Sequence, residues 1–210
     1  MTIRTSNIDA AGLLYKRVLD LVGGVVGTVI FLINYPFVAI AIKFDSEGPV
    51  LYKQKRMGQH GRTFNLYKFR TMYQDADKRR QDLVANNVMN GAMFKMKDDP
   101  RITKVGRWLR KTSIDEIPQF LNVLTGEMSL VGTRPPMIEE VEEYKLEHLK
   151  RISNKPGITG LWQVSGRNII TDFDEIVDLD CKYSDNWRFS DDLKILLKTV
   201  VVVLQRKGAI

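Results

Sequence analysis

LVGGVVGTVIFLINYPFVAIAI, residues 21–42, contains no charged side chain over its 22 positions, and its reading decides how the rest of the chain is organised. A helix of that length rises about 33 Å, enough to cross a hydrocarbon core of about 30 Å. The run is longer than the apolar part of a secretory signal, and no small-residue cleavage site precedes the charged chain after it. Three features weigh against simple crossing. Pro36 removes a backbone donor within the run, and Asn34 places an amide at apolar depth. Basic residues also flank both ends, with Arg4, Lys16 and Arg17 before and Lys43, Lys53, Lys55 and Arg56 after, so charge asymmetry does not orient the segment. A helix that dips into the bilayer, bends at Asn34–Pro36 and returns to the same face satisfies all three. The residues alone leave this re-entrant form open beside a plain spanning anchor, with a buried core helix behind both. Gly23 and Gly27 form a G-x-x-x-G pair against which another helix, including one from a second copy, could pack closely.

Outward from this run, 210 residues with 44% hydrophobic and 27% charged content describe a folded chain, neither a polytopic membrane protein nor a disordered one. A single Cys excludes an intrachain disulfide, and one Cys with two His is too little for a structural zinc site. Any metal would be a hard cation on carboxylates. Thirty-two Lys and Arg against 25 Asp and Glu leave +7, a balance suited to polyanionic partners: nucleic acid, anionic lipid or phosphorylated substrate.

Residues 50–57 and 62–69, joined by Gly58-Gln59-His60-Gly61, predict a β-hairpin. Residues 75–97 read as an interrupted helix. Asp98-Asp99-Pro100 signals a helix start, with Ile102, Val105 and Leu109 on its apolar face, and a second helix is expected from Ser113 to Leu124, stopping at Thr125-Gly126. Gly132–Pro136 must be extended, because its two prolines exclude helix. Residues 139–153 read as a charged helix, and 155–168 as a Gly-rich connection. Asp191 to Lys207 reads as an amphipathic helix lying on a membrane surface. The fold class is therefore α+β and mainly helical. Residues 1–47 carry the membrane-inserted helix, and 48–210 form a cytosolic domain with the small hairpin and amphipathic surface helices.

Asp115-Glu116 is the most informative pair for chemistry. Neighbouring carboxylates can divide two tasks: one attacks phosphorus, and the other holds a divalent cation against a diphosphate. The competing reading is structural, since Ser113-Ile114-Asp115-Glu116 fits the S-x-x-E capping box. Basic residues surround the pair in sequence. Lys68 and Arg70 close the hairpin, Arg107, Arg110 and Lys111 precede the acids, and Arg134 sits in the proline loop. Guanidinium groups in fixed geometry clamp phosphates, which phosphoryl transfer requires. Trp162, between Leu161 and Gln163 and ahead of Arg167, reads as a packing residue. Asp172, Asp174, Glu175, Asp178 and Asp180 read as the solvated face of a helix.

The strings GPVLYKQKRMGQHGRTFNLYKFRTM (48–72), DPRITKVGRWLRKTSIDEIPQFLNVLTGEMSLVGTRPP (99–136) and KPGITGLWQVSGRN (155–168) closely resemble the bacterial sugar transferases, the monotopic polyprenyl-phosphate phosphoglycosyl transferases. The third string resembles the subgroup with an extended C-terminal part, and the lack of further N-terminal membrane helices resembles its short form. The resemblance implies transfer of a sugar-1-phosphate from a UDP-sugar to polyprenyl phosphate, with release of UMP, at the cytoplasmic face of the bacterial inner membrane. It implies Asp115 as nucleophile carrying a covalent phosphosugar, Glu116 as a Mg²⁺ ligand, and a ping-pong scheme. Lys68, Arg70, Arg110, Arg134, Gln163 and Arg167 become the phosphate- and substrate-binding candidates, and the anchor is expected to be the re-entrant form. Two departures stand out. Tyr35 precedes the bend proline where the family often has Ser, and Thr133 replaces a proline before Arg134. The sugar is not legible; glucose or galactose follows only from the subgroup. The rival from another class is a non-catalytic, basic, membrane-tethered module that recruits glycan-assembly partners. A nucleic-acid binder is disfavoured, because no aromatics interleave with a basic strand surface.

Overall fold

The computed structural model describes residues 10–79, 82–83, 87–94, 96, 98–166 and 170–205. Helix α1, Ala10–Asp45, contains the apolar run and, at 36 residues, is about 54 Å long. One stripe of it is buried: Asp20, Gly24, Gly27, Phe31, Val38 and Ile42. Those positions recur at the three- and four-residue spacing of a helix face. The opposite face presents Leu13, Val25, Val29, Leu32, Ile33, Phe37 and Phe44 outward.

The buried stripe packs on the chain's own domain along the whole length of α1. Gly12 lies against Trp187 near one end, and the Asp45 carboxylate accepts the Val105 N–H at 2.9 Å at the other. Between them the Asp20 carboxylate accepts the Ser129 hydroxyl and the Leu130 N–H, both at 2.8 Å. The glycine pair is therefore occupied from within the chain, since Gly23 abuts Leu130 and Gly27 abuts the Phe120 ring. That corrects the expectation that this face is open to a helix of another copy. A Cβ on Gly27 would collide with Phe120. Gly27→Val is expected to cost about 1–3 kcal/mol through overpacking, read as a lower thermal midpoint of detergent-solubilised protein. Val25→Leu, on the outward face, should leave the midpoint in place. Equal midpoints for all three proteins would refute the intramolecular use of this face.

The helical assignment continues through Pro36, so no break in secondary structure marks the expected bend. Asn34 donates its side-chain amide to the Ile30 carbonyl at 2.8 Å. It therefore satisfies itself one turn back and does not serve the Leu32 carbonyl, which loses its partner to Pro36.

Strands β1, Leu51–Met57, and β2, Thr63–Phe69, pair antiparallel with Tyr52 opposite Lys68 and Arg56 opposite Phe64. The expected ends hold to within a residue. Between residues 73 and 97, the described residues form short turns and not the helix that their composition suggested. Helix α2 is Lys104–Thr112, and its N-cap is Thr103, whose hydroxyl accepts the Gly106 N–H at 2.9 Å. Asp98-Asp99-Pro100 thus precedes the helix without capping it. A 3₁₀ turn, Ile114–Gln119, leads into α3, Phe120–Thr125, which stops at Gly126 in the left-handed region, as the Thr-Gly signal predicts.

Beyond this point the sequence reading was coarser than the fold. Strand β3, Ser129–Val131, pairs parallel with β4, Gly157–Thr159, and this second sheet was not anticipated. Three-residue strands carry too little period-2 signal to be legible. The charged stretch 139–153 splits into α4, Ile138–Glu142, and a 3₁₀ turn, Leu146–Ile152. The Gly-rich connection contains α5, Leu161–Gly166. Helices α6, Phe173–Asp185, and α7, Phe189–Leu204, complete the chain. Helix α7 leaves Leu193, Leu197, Val200 and Leu204 exposed, in keeping with its amphipathic reading. It is tied to α1 by Lys16, whose ammonium lies 2.7 Å from the buried Asp192 carboxylate.

The apolar core has three parts. Phe64, Leu66, Val123, Met128 and Val131 join the hairpin to α3 and β3. Met89, Trp162, Phe173 and Ile176 pack beside α5 and α6. Phe31, Ile42, Phe69 and Leu109 seal the hairpin and α2 against α1.

Candidate active site

The hairpin, α2, the 3₁₀ turn and the proline loop enclose a cavity of about 480 Å³. Six basic residues line it (Arg56, Lys68, Arg70, Arg101, Arg110 and Arg134) against four acidic ones (Asp77, Asp99, Asp115 and Glu116), so its described wall is net positive. Such a wall concentrates anions.

The acid pair enters this cavity by a specific backbone device. Helix α2 ends at Ser113, which has φ 57° in the left-handed region and no side-chain capping bond to the next turn. Left-handed backbone at a residue with a Cβ is costly and is held by its surroundings. The capping-box reading is thereby overturned. The Ser113 hydroxyl does not cap, and the Glu116 carboxylate takes the Lys68 ammonium at 2.9 Å. Asp115 is buried and Glu116 half-buried.

Arg110 donates its Nε to the Thr71 hydroxyl at 3.0 Å. Burial lowers the Arg110 pKa, while the carboxylates of Asp115 and Asp99 oppose that shift, which places Arg110 within the field of the acid pair. Lys68 and Arg110 are thus both brought to Asp115-Glu116, as the sequence placed them.

The other candidates divide. Arg134 lines the cavity, and its guanidinium donates to Glu140 at 3.1 Å. The same Glu140 oxygen accepts the Met137 N–H at 3.1 Å. Burial resists ionisation of Glu140, but Arg134 and Arg56 hold its carboxyl below the usual range. Arg70 is corrected. Its guanidinium is spent on Pro49 O at 2.6 Å, Ser46 Oγ at 2.8 Å, Glu47 O at 2.6 Å and Ser46 O at 2.8 Å. It staples the hairpin to the C-terminal end of α1, where carbonyls welcome a cation. Gln163 sits apart from the described cavity wall, and its side-chain oxygen is buried without a partner among the described residues. Its side-chain amide donates to the Ile158 carbonyl at 3.2 Å beneath β4. Arg167 lies outside the described residues.

Sequence reasoning missed several wall residues, among them Arg101, Asp99, Tyr52 and Arg56. Arg101 pairs with Asp99 through Nε and Nη2 at 2.9 and 2.6 Å. Burial pushes the Asp99 carboxyl up, but these bonds outweigh it and hold the group below its ordinary value. Tyr52 and Arg56 lie on the hairpin face that carries Lys68 because Met57 pairs with Thr63 across five residues. The four-residue connection read from the sequence would have paired Met57 with Arg62 and put them on the other face. Trp162 is a buried core residue, as expected, but it also lines the cavity, and its indole N–H has no partner among the described residues.

A magnesium ion held through few protein ligands needs one or two carboxylates and room for substrate oxygens. Glu116, with Asp115 beside it on a cavity wall, meets that description. No group of three His, Cys, Asp or Glu residues suited to an all-protein metal cage occurs among the described residues.

Comparison with known proteins gives the chain a family. The chain is 54% identical over 197 residues to the galactosyl transferase CpsE of Streptococcus agalactiae, covering 94% of this chain and 44% of that protein. It is 49% identical over 166 residues to the undecaprenyl-phosphate galactose phosphotransferase of Salmonella typhimurium, covering 77% and 35%. It is 36% identical over 209 residues to the exopolysaccharide production protein ExoY of Sinorhizobium fredii, covering 98% and 92%. The chain thus spans less than half the length of the first two relatives. Residues 11–206 match the family described as bacterial sugar transferase. By that match and those identities, the chain belongs to the bacterial sugar transferase family.

Proposed function

We propose that this chain transfers a sugar-1-phosphate from a UDP-sugar to polyprenyl phosphate at a bacterial inner membrane, forming a polyprenyl-diphosphate sugar and UMP. The observation that carries the reading is the placement of Asp115-Glu116, turned by Ser113 into a basic cavity and not consumed in capping a helix. In the first half-reaction an Asp115 carboxylate oxygen attacks the sugar-bearing phosphorus. The bond from that phosphorus to the bridging oxygen breaks, and the electron pair leaves with UMP. In the second half-reaction an oxygen of the lipid phosphate attacks the same phosphorus and Asp115 departs as carboxylate. Arg110 and Lys68 offset charge on the transferring phosphoryl oxygens.

Glu116, with substrate oxygens, is the group that would hold Mg²⁺. The ion would supply neutralisation of the diphosphate charge. Chelation by EDTA is expected to abolish transfer and added Mg²⁺ to restore it, with the thermal midpoint unmoved, because a site with one protein carboxylate does not build the fold. Undiminished turnover in EDTA would exclude this assignment.

The outward apolar face of α1 and its two domain-bound ends support a helix embedded in one leaflet and returning to the cytoplasmic side, with the exposed apolar face of α7 at the same surface. A panel of UDP-sugars offered with undecaprenyl phosphate and Mg²⁺, read by UMP release, tests activity and donor together. UDP-galactose and UDP-glucose are the donors expected to react. Silence across the panel would favour the recruiting-module reading.

A further inference from the structure

Arg56 is a buried cation on the cavity wall, 7% exposed, to which the transfer scheme gives no task. Its guanidinium is held as a fixed fork. Nε and Nη2 donate to the Gln54 side-chain oxygen at 3.1 and 2.6 Å, and Nη1 donates to the Pro135 carbonyl at 3.1 Å. Every one of these acceptors is neutral. Three of its neighbours in the wall have a carboxylate each, Lys68 with Glu116, Arg101 with Asp99 and Arg134 with Glu140, all within 3.1 Å, whereas Arg70 and Arg110, like Arg56, donate to neutral acceptors. Among the described residues, no carboxylate lies within ion-pair distance of Arg56. Its nearest charged influences are Arg134, of like sign, and Glu140, which is already paired with Arg134 at 3.1 Å. Burial first, and Arg134 second, push the Arg56 pKa down to about 10. A buried charge with only neutral acceptors is costly, and a ligand of opposite sign removes the cost.

Position sets this fork apart from the acid pair. Arg56 lies four residues along β1 from Tyr52, the partner of Lys68, which separates the two backbone positions by roughly 13 Å. Arg110 feels the charges of Asp115, Asp99, Arg101 and Glu116, whereas Arg56 feels Arg134, Glu140, Tyr52 and Glu139. The cavity therefore has two electropositive ends.

We propose that Arg56, with Arg134 beside it, forms a second phosphate subsite in the cavity, distinct from the Asp115-Glu116 end and recognising a phosphate mono- or diester. It rests on the phosphosugar-transfer reading. Two substrates of that reaction carry such a group: the nucleotide side of the donor, and the phosphate of the lipid acceptor.

Arg56→Gln removes the charge, and Arg56→Lys keeps it without the fork. The test uses the full chain in detergent micelles with two assays: exchange of labelled UMP into UDP-sugar without acceptor, and transfer to undecaprenyl phosphate. If the donor occupies the subsite, the KM for UDP-sugar in exchange rises roughly ten- to hundred-fold in Arg56→Gln, the loss of a charge-assisted bond, and less in Arg56→Lys. If the acceptor occupies it, the same rise falls on the KM for undecaprenyl phosphate and not on that for UDP-sugar. Both KM values within twofold of wild type in both variants would overturn the proposal. So would a joint fall of kcat and thermal midpoint at constant KM, the signature of a mere strut for Pro135. Wild-type protein that neither exchanges nor transfers would overturn the transferase reading beneath it. An active wild type with indifferent Arg56 variants overturns the subsite alone.

Discussion

Asp115→Asn is expected to lower transfer by at least about 10³-fold while leaving the protein folded, because removing a covalent nucleophile leaves only binding and electrostatic contributions to the rate. The substitution keeps the shape of a buried side chain and removes its charge. The amide oxygen is a poor nucleophile towards phosphorus, and no acyl phosphate can form on it. Incubation of wild-type protein with UDP-sugar and no lipid acceptor should add the mass of a phosphosugar to the peptide containing Asp115, and the Asn variant should stay unmodified. Glu116→Gln tests the division of labour. It removes the partner of Lys68 at 2.9 Å but leaves the nucleophile, so adduct formation should slow without disappearing. Turnover by Asp115→Asn within tenfold of wild type would remove the nucleophile from this account. Kinetics that require both substrates bound at once would do the same.

The second large effect concerns stability. Arg151 and Asp180 form an ion pair at 2.9 Å with side chains 0% and 1% exposed. Arg151 also donates to the Tyr144 hydroxyl at 2.7 Å and lies over the Tyr144 and Phe173 rings at 5.8 and 5.3 Å. Its backbone carbonyl accepts the Thr133 hydroxyl at 2.9 Å, next to Arg134 of the cavity wall. Breaking one side of such a pair strands a buried charge. Arg151→Met or Asp180→Leu is expected to cost about 3–5 kcal/mol. For a chain of this size, that lowers the thermal midpoint by roughly 6–20 °C. The double variant Arg151→Met/Asp180→Leu should recover most of the loss, because neither charge then remains to be solvated. Single variants that melt within 2 °C of wild type would show that the pair adds nothing.

This pair also shows where the sequence reading stopped. Asp180 stands among Asp172, Asp174, Glu175 and Asp178, and composition gave no reason to separate it from a solvated face. Its burial depends on Arg151, 29 positions away. The glycines of α1 were a similar case. Read locally they suggested a partner helix, whereas the three- and four-residue spacing from Asp20 to Ile42 marks an inner face that the chain covers itself.

What the sequence determined by itself was set by neighbours a few positions apart: the apolar run, the hairpin, the stop at Gly126, and the adjacency of Asp115 to Glu116. Helical and strand periods, turn glycines and motif strings express such short-range contacts directly. The tertiary structure alone decided which cations face the cavity, that Ser113 turns the acids inward, that Arg70 and Gln163 donate to backbone carbonyls, and that β3 meets β4. Those outcomes depend on burial and charge pairing between distant segments, as between Lys16 and Asp192, 176 positions apart, and side-chain identity does not encode which distant group will exclude the water.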